Sequence, residues 1–302
     1  MLRPTPINKG DTIAIVAPAK AISAELIAEA KRFWEEAGFK VKLGKHVAGE
    51  HHYFSGSDAE RLQDFQAALD DDEVKAIICA RGGYGCVRIV DRLNWSVMVD
   101  SPKWVIGFSD VTVFLQHLNC MGVMGIHGTM PLNYSSNTDL ALQSVLALTS
   151  GQKMEYTWTS ENCQEGEASG VLLGGNLAVL TGLVYTNSMP DYNGAILFVE
   201  EVGEHLYAID RMFYTLAKAG ILDKINGLIV GSFSSIKDTE IPFGKTLSEI
   251  ILEHFKYRNI PVAFDFPAGH CDDNRAIVLG EKVLLSVTKD KNSLSSFDGK
   301  FI

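Results

Sequence analysis

The sequence predicts an α/β protein with two domains. Residues 1–150 are expected to form a parallel, doubly wound sheet. Residues 151–168 read as an interdomain linker, and residues 169–302 as a smaller mixed α+β domain. Three observations carry this. Short continuous apolar runs (TIAIVA at 12–17, VKAIICA at 74–80, KWVI at 103–106) alternate with helical patterns, the signature of strands buried on both faces. The stretch from Thr149 to Ser169 is polar and carries no helical period. The chain's 302 residues suit two domains of roughly 100–200 residues each.

Taken in order, Thr12–Ala17 is a buried strand that breaks at Pro18. Ser23–Ala37 follows with Leu26, Ile27, Ala30, Phe33 and Trp34 on one helical face, Ser23 as N-cap and Gly38 closing the C-terminus. Phe39–Leu43 is the next strand, which completes a βαβ unit. Ser57–Leu69 is a helix with Ser57 and Glu60 at capping-box spacing. The run 74–80 ends in Arg81-Gly82-Gly83-Tyr84-Gly85, Val87–Leu93 suggests a short helix, and KWVI ends in Gly107-Phe108-Ser109-Asp110 before an amphipathic helix at Val111–Met121. Beyond the polar stretch come the Gly174-Gly175-Asn176 turn, a strand at Ala195–Val199, a helix at Ile209–Ala219, a strand at Gly227–Val230 and a helix at Thr246–Phe255. Ala276–Leu279 and Lys282–Val287 read as antiparallel strands closing the second domain.

With 46% hydrophobic and 21% charged residues, the composition is that of an ordinary globular protein. The net charge of −10 and the absence of any basic run argue against a nucleic-acid partner, which needs clustered Lys and Arg. An anionic small substrate remains compatible, because a site can differ in sign from the whole surface. The five cysteines (Cys79, Cys86, Cys120, Cys163, Cys271) are odd in number and form no CxxC pair. Cys79 and Cys120 read as buried thiols, and a reducing compartment is expected. Ile13–Ala17 is too short for a signal-peptide core, and no run reaches the roughly 20 apolar residues of a membrane span. A cytoplasmic location without a membrane partner follows as an expectation.

Ser109 stands where a strand gives way to a helix, at the carboxyl edge where open α/β sheets bind ligands. The unpaired first amides of that helix, notably Asp110 N–H, suit an oxyanion forming beside Ser109. Gly107 would allow a sharp turn, although Val111 stands where a G-x-S-x-G elbow has its second glycine. Locally, Ser109 also reads as an N-cap. The glycines of Arg81–Gly85 permit a close approach of backbone to ligand or a positive φ, and their amides suit an anion. A serine nucleophile needs a base. Among the eight histidines, His117 and His254 lie within helical patterns. His270 lies in a loop after an apolar stretch, but composition does not choose it over His127. His51 and His52 lack any zinc spacing such as HExxH, so no metal is expected. The base needs a carboxylate. Glu200 and Glu201 end an apolar strand and face opposite ways, and this leaves open which one serves.

The segments IAIVAPA, FSGSDAERLQDF, ARGGYGCVRIV, IGFSDVT, HGTMP, LLGGNLAVL, LFVEEVGEHLYAIDRM, IVGSF and GHCDDNRAIVLG, in this order along nearly the whole chain, resemble the LD-carboxypeptidase family. That family includes the murein tetrapeptide carboxypeptidases and the microcin-immunity serine peptidases. The resemblance implies a flavodoxin-like N-terminal domain, a homodimer, and no metal or other cofactor. It implies Ser109 as nucleophile, Glu200 as triad acid and His270 as base, with an oxyanion hole from the Asp110 amide and one from the glycine loop, Gly83. It also implies hydrolysis of the L,D-amide that releases terminal D-Ala from cytoplasmic murein tetrapeptides, in peptidoglycan recycling. An immunity-type peptidase acting on an acyl-nucleotide or peptide conjugate is the alternative within the family. A catalytically silent muropeptide-binding protein is the alternative outside it. An exopeptidase must pair the terminal carboxylate, for which Arg81 and Arg275 are the charged candidates nearest the motifs.

Overall fold

The computed structural model describes residues 1–297 and 299. The apolar runs become strands because each is buried on both sides: β1 (Thr12–Val16) has no exposed residue. A helix, α1 (Ala24–Glu36), leads to β2 (Lys40–Leu43), whose Lys40, Lys42 and Leu43 are exposed, as suits an edge strand. The helix α2 (Asp58–Asp70) opens with the expected capping box, Ser57 accepting from Glu60 N and Glu60 accepting from Ser57 N. β3 (Val74–Cys79), the one-turn helix α3 (Val97–Asp100), β4 (Trp104–Gly107), α4 (Thr112–Cys120), β5 (Gly125–His127) and α5 (Asp139–Thr149) follow. The stretch at Val87–Leu93 forms two 3₁₀ turns rather than a helix.

The five strands pair in parallel in the order β2-β1-β3-β4-β5, the flavodoxin-like order. Its switch point lies between β1 and β3, where the connections leave to opposite sides. The crevice above their carboxyl ends is the ligand position of such sheets.

The polar stretch is not patternless. It holds β6 (Glu155–Trp158), β7 (Cys163–Gln164) and the start of β8 (Gly166–Asn176). Then come α6 (Leu177–Gly182), β9 (Ile196–Val202), α7 (Leu206–Lys218), α8 (Ile221–Lys224), β10 (Gly227–Ser234), α9 (Leu247–Leu252), β11 (Val262–Ala263), β12 (Ile277–Leu279), β13 (Lys282–Val287) and β14 (Asn292–Ser296). The second sheet runs β6-β14-β13-β8-β9-β10-β11-β7, parallel from β8 to β11 and antiparallel at both flanks.

Two further expectations need correction. β12 does not close the second sheet. It pairs antiparallel with β5 of the first, Ile277 opposite His127. Cys120 is exposed at the end of α4, whereas Cys79 is buried, and all five thiols are free.

Strand alternation divides the second sheet into two faces. Leu172, Ile196 and Phe198 join the core of the first sheet, while Leu173, Leu197 and Val199 pack on α6, α7 and α9. The end of β8 touches both layers. Gln116 of α4 donates to Gly174 O at 2.8 Å, and Asn176 N donates to Thr112 Oγ1 at 3.1 Å. A side chain at Gly175 would meet Thr112 Cγ2 at 2.6 Å, and one at Gly174 would meet Phe198 O at 1.9 Å.

Gly174 also holds φ +134°. Gly174→Ala is therefore expected to cost at least about 2 kcal/mol through backbone clash and strain, read as a lowered midpoint in urea unfolding.

Candidate active site

The carboxyl ends of β1, β3, β4 and β5 converge on one edge. Ser109, just beyond β4, has φ +61°, a left-handed conformation unusual for a residue with a Cβ. The turn strain sits on the serine itself rather than on Gly107. Gly107 serves packing: a Cβ there would meet the Val111 side chain at 2.9 Å. Val111 thus fills the space next to the first glycine of the turn, where an elbow of the G-x-S-x-G type would carry a second glycine.

The glycine loop after β3 lies against this turn. A Cβ on Gly82 would meet Ser109 Cβ at 2.8 Å, Ser109 Oγ at 3.0 Å and Asp110 N at 3.3 Å. The Cα of Gly82 thus abuts Ser109, while a side chain on Gly83 would point at Lys20 and Tyr53. The Asp110 carboxylate is buried and accepts from Cys86 N at 2.8 Å. Burial raises its pKa, against the lowering effect of that bond. Arg61, also buried, donates to Gly85 O at 3.0 Å and to Pro18 O, and ion-pairs with Asp58. One guanidinium thus ties the end of β1 to the glycine loop. As one cation inside an amphipathic helix pattern, Arg61 gave no sign of this in the sequence.

On β9, Glu200 has the parity of Ile196 and Phe198 and points inward. It is fully buried, and its Oε2 lies 2.7 Å from His270 Nδ1. Glu201 points the other way and is built into the start of α6: it accepts from Ala178 N at 2.7 Å, Asn176 Nδ2 at 3.1 Å and its neighbour Val202 N at 2.8 Å. Alternation put the two acids on opposite faces, and their partners show which one meets the imidazole.

His270 reaches Glu200 because Gly269 precedes it. A Cβ at Gly269 would lie 2.7 Å from Glu200 Cβ, and φ there is +115°. The buried Asn274 holds this turn, accepting from Gly269 N at 2.8 Å, and Ser232 Oγ donates to His270 O at 3.4 Å. Phe108, next to Ser109, packs its ring 4.8 Å from the His270 ring. Burial pulls the His270 pKa down, but the hydrogen bond and charge of Glu200, with Glu201 behind it, outweigh this and leave it raised. His127, the other candidate, is fully buried between Phe108 and Phe198 with neither ring nitrogen bonded. Burial lowers its pKa to about 4 despite nearby Glu200, so it stays neutral.

The arginine candidates are otherwise engaged. Arg81 donates to Ala21 O at 2.9 Å. Arg275 pairs through two nitrogens with Asp273 and lines a separate cavity with Gln143, Ser144 and Tyr156. Among the described residues, no group of three or more His, Cys, Asp and Glu could hold a metal ion, and no helix is long and apolar enough to cross a membrane.

A buried carboxylate holds an imidazole, and Phe108, whose ring packs on that imidazole, is followed directly by a serine at a left-handed strand–helix turn; these are parts a peptide hydrolase uses. The chain belongs to the LD-carboxypeptidase family, whose N-terminal domain model matches residues 13–128 and whose C-terminal domain model matches residues 169–285. It is 34% identical to a probable murein peptide carboxypeptidase of Bacillus subtilis, over 95% of this chain and 92% of that one. It is 30% identical to the murein tetrapeptide carboxypeptidase of Pseudomonas aeruginosa, over 90% of this chain and 92% of that one. The crystal structure of the muramoyltetrapeptide carboxypeptidase from Oxalobacter formigenes superposes with a TM-score of 0.88 at 29% identity, covering 96% of this chain and all of that one.

Titration of His270, followed by imidazole NMR, should give a midpoint above the ordinary imidazole value of about 6.5. In Glu200→Gln the charge of Glu200 goes while burial, the largest influence, remains with only the weaker pull of Glu201 against it, so the midpoint should fall below that value. A midpoint unmoved by Glu200→Gln would contradict the pairing.

Proposed function

We propose that this chain is a serine-type LD-carboxypeptidase that hydrolyses the amide joining the L-centre of a diamino acid to terminal D-Ala in murein tetrapeptides. The observation that carries this reading is the Glu200–His270 hydrogen bond, 2.7 Å long, with the His270 ring packed on Phe108, the residue before the left-handed Ser109. The murein peptide carboxypeptidases to which the chain is similar supply the substrate class. In this reading the chain works as a cytoplasmic homodimer in peptidoglycan recycling. Residues 1–150 carry Ser109, and residues 169–302 carry Glu200 and His270.

Ser109 Oγ attacks the scissile carbonyl carbon while His270 Nε2 takes its proton, and Glu200 accepts from Nδ1–H and stabilises the imidazolium. The carbonyl oxygen becomes an oxyanion, which the Asp110 and Gly83 amides stabilise. The C–N bond then breaks, His270 protonates the leaving amine, and D-Ala departs from an acyl-enzyme on Ser109. Water, deprotonated by His270, attacks the ester, and the tripeptide acid leaves as Ser109 regains its proton. The base must be neutral, so activity rises with pH through the raised His270 pKa.

Incubation with a murein tetrapeptide should release D-Ala, measured by chiral chromatography, and the matched peptide ending in L-Ala should release none. Inverting that stereocentre exchanges methyl and carboxylate in a fixed pocket. Ser109→Ala should lose roughly 10⁴–10⁶-fold in turnover and its labelling by a serine-reactive phosphonate. A chain that binds muropeptide but never labels is a silent binding protein. One that cleaves only acyl-nucleotide conjugates is an immunity-type peptidase.

The two adjacent acids should separate by assay. Glu200→Ala should lose on the order of 10⁴-fold in kcat/KM with the fold retained. Glu201→Ala, which strips bonds from the start of α6, should cost about 1–3 kcal/mol of stability and far less in turnover. The reverse pattern would move the acid by one residue.

A further inference from the structure

Lys20 stands at the switch point of the first sheet without an acidic partner. It follows β1, its N–H donates to Gly82 O at 3.4 Å, and Gly82 is the glycine that abuts Ser109. Its side chain lies along the glycine loop: a Cβ on Gly83 would meet Lys20 Cβ at 2.9 Å and the Tyr53 hydroxyl at 3.0 Å. Lys20 Nζ lies 4.9 Å from the centre of the Tyr53 ring. Among the described residues no carboxylate pairs with Lys20. Nearby, Arg61 and Arg88 both pair with Asp58, and Arg81 donates to a carbonyl.

The placement of Tyr53 is built in. His51 and Phe54 exchange both backbone hydrogen bonds around a turn in which His52 has φ +56°. Ala21 N donates to Tyr53 O at 3.2 Å and Ser55 N to Ala19 O at 3.1 Å. Tyr53 remains 43% exposed, while its backbone is fixed to the Lys20 segment. Gly83, with φ +110° and no side chain, lets a cation and a hydroxyl converge on the loop that borders Ser109.

We propose that Lys20 and the Tyr53 hydroxyl receive the C-terminal carboxylate of the substrate, and so make the enzyme an exopeptidase. This rests on the carboxypeptidase reading above. In a chain of net charge −10, an anionic peptide end is repelled by the surface as a whole and needs a local cation at its point of entry. The carboxylate of the residue being released lies only a few bonds from the carbonyl that Ser109 attacks. Its acceptor must therefore border the serine, as the glycine loop does. A lysine supplies charge without fixed direction, and the tyrosine hydroxyl supplies the direction.

The test compares a tetrapeptide ending in D-Ala with the same peptide ending in D-Ala amide. Wild type should prefer the free acid. Lys20→Met should lose roughly 10- to 100-fold in kcat/KM on the acid, the scale of a charge-assisted bond, and change little on the amide. Lys20→Arg should recover part of the loss, and Tyr53→Phe should show a smaller loss of the same selectivity. Unchanged Tm in each variant keeps the comparison on binding. Equal losses on both substrates, or none, in a wild-type background that releases D-Ala would overturn the inference alone. A wild type that releases no D-Ala removes the carboxypeptidase reading and this inference with it.

Discussion

A carboxylate with no exposure to water governs the arrangement of the second half of the chain. An isolated buried charge is costly enough that it must be paired or neutralised. Among the described residues the Glu200 carboxylate bonds one partner, His270, and the turn that carries His270 is built around that contact. Gly269 is a glycine because any side chain would strike Glu200. Asn274 is buried to hold the Gly269 turn. The hydroxyl of Ser232, on β10, binds the backbone of His270. The loop turns through a left-handed glycine, and the bonds to Asn274, Ser232 and Glu200 together hold it.

The first sheet solves a different problem: bringing backbone amides close to a side-chain hydroxyl. Ser109 takes the left-handed conformation, and Gly82 lets the neighbouring loop lie on it. The loop's position is then set by two buried charges of opposite sign, Asp110 holding Cys86 and Arg61 holding Gly85 and Pro18. The Asp of the Ser-Asp pair therefore has its amide against Gly82 at one end and clamps the loop with its carboxylate at the other. The Gly174-Gly175 pair brings α4, the helix that follows Ser109, into direct contact with the sheet that carries Glu200.

Much of this was legible in the sequence because it is local. Continuous apolar runs announced β1, β3 and β4, Ser57 and Glu60 announced their own capping box, and alternation put Glu200 and Glu201 on opposite faces. The unread parts depend on partners distant in sequence. β6 and β7 are short and polar, and they are strands only because β14 and β11 are there to pair with them. Ile277–Leu279 looks like any strand next to Lys282–Val287, and nothing in its pattern names β5 as its neighbour. Cys120 shares an apolar helix yet falls at its exposed end. Which glycine of Arg81–Gly85 meets Ser109 is a matter of loop path, which three glycines in five residues leave open. Arg275 sits within the GHCDDNRAIVLG motif, but Asp273 two residues earlier takes its guanidinium.

The pairing of β12 with β5 has a consequence for the order in which the protein is made. The ribosome delivers β1 to β5 early, but the strand that covers the β5 edge is residues 277–279, about 150 residues further along the chain. Until then the nascent sheet presents an open edge, the feature through which incomplete chains join one another. His270 arrives in the same late stretch. Closure of the sheet edge and delivery of the imidazole to Glu200 therefore belong to one step, well after the first sheet has been made. A chain released before that point has Ser109 but no His270, and an edge that still needs covering.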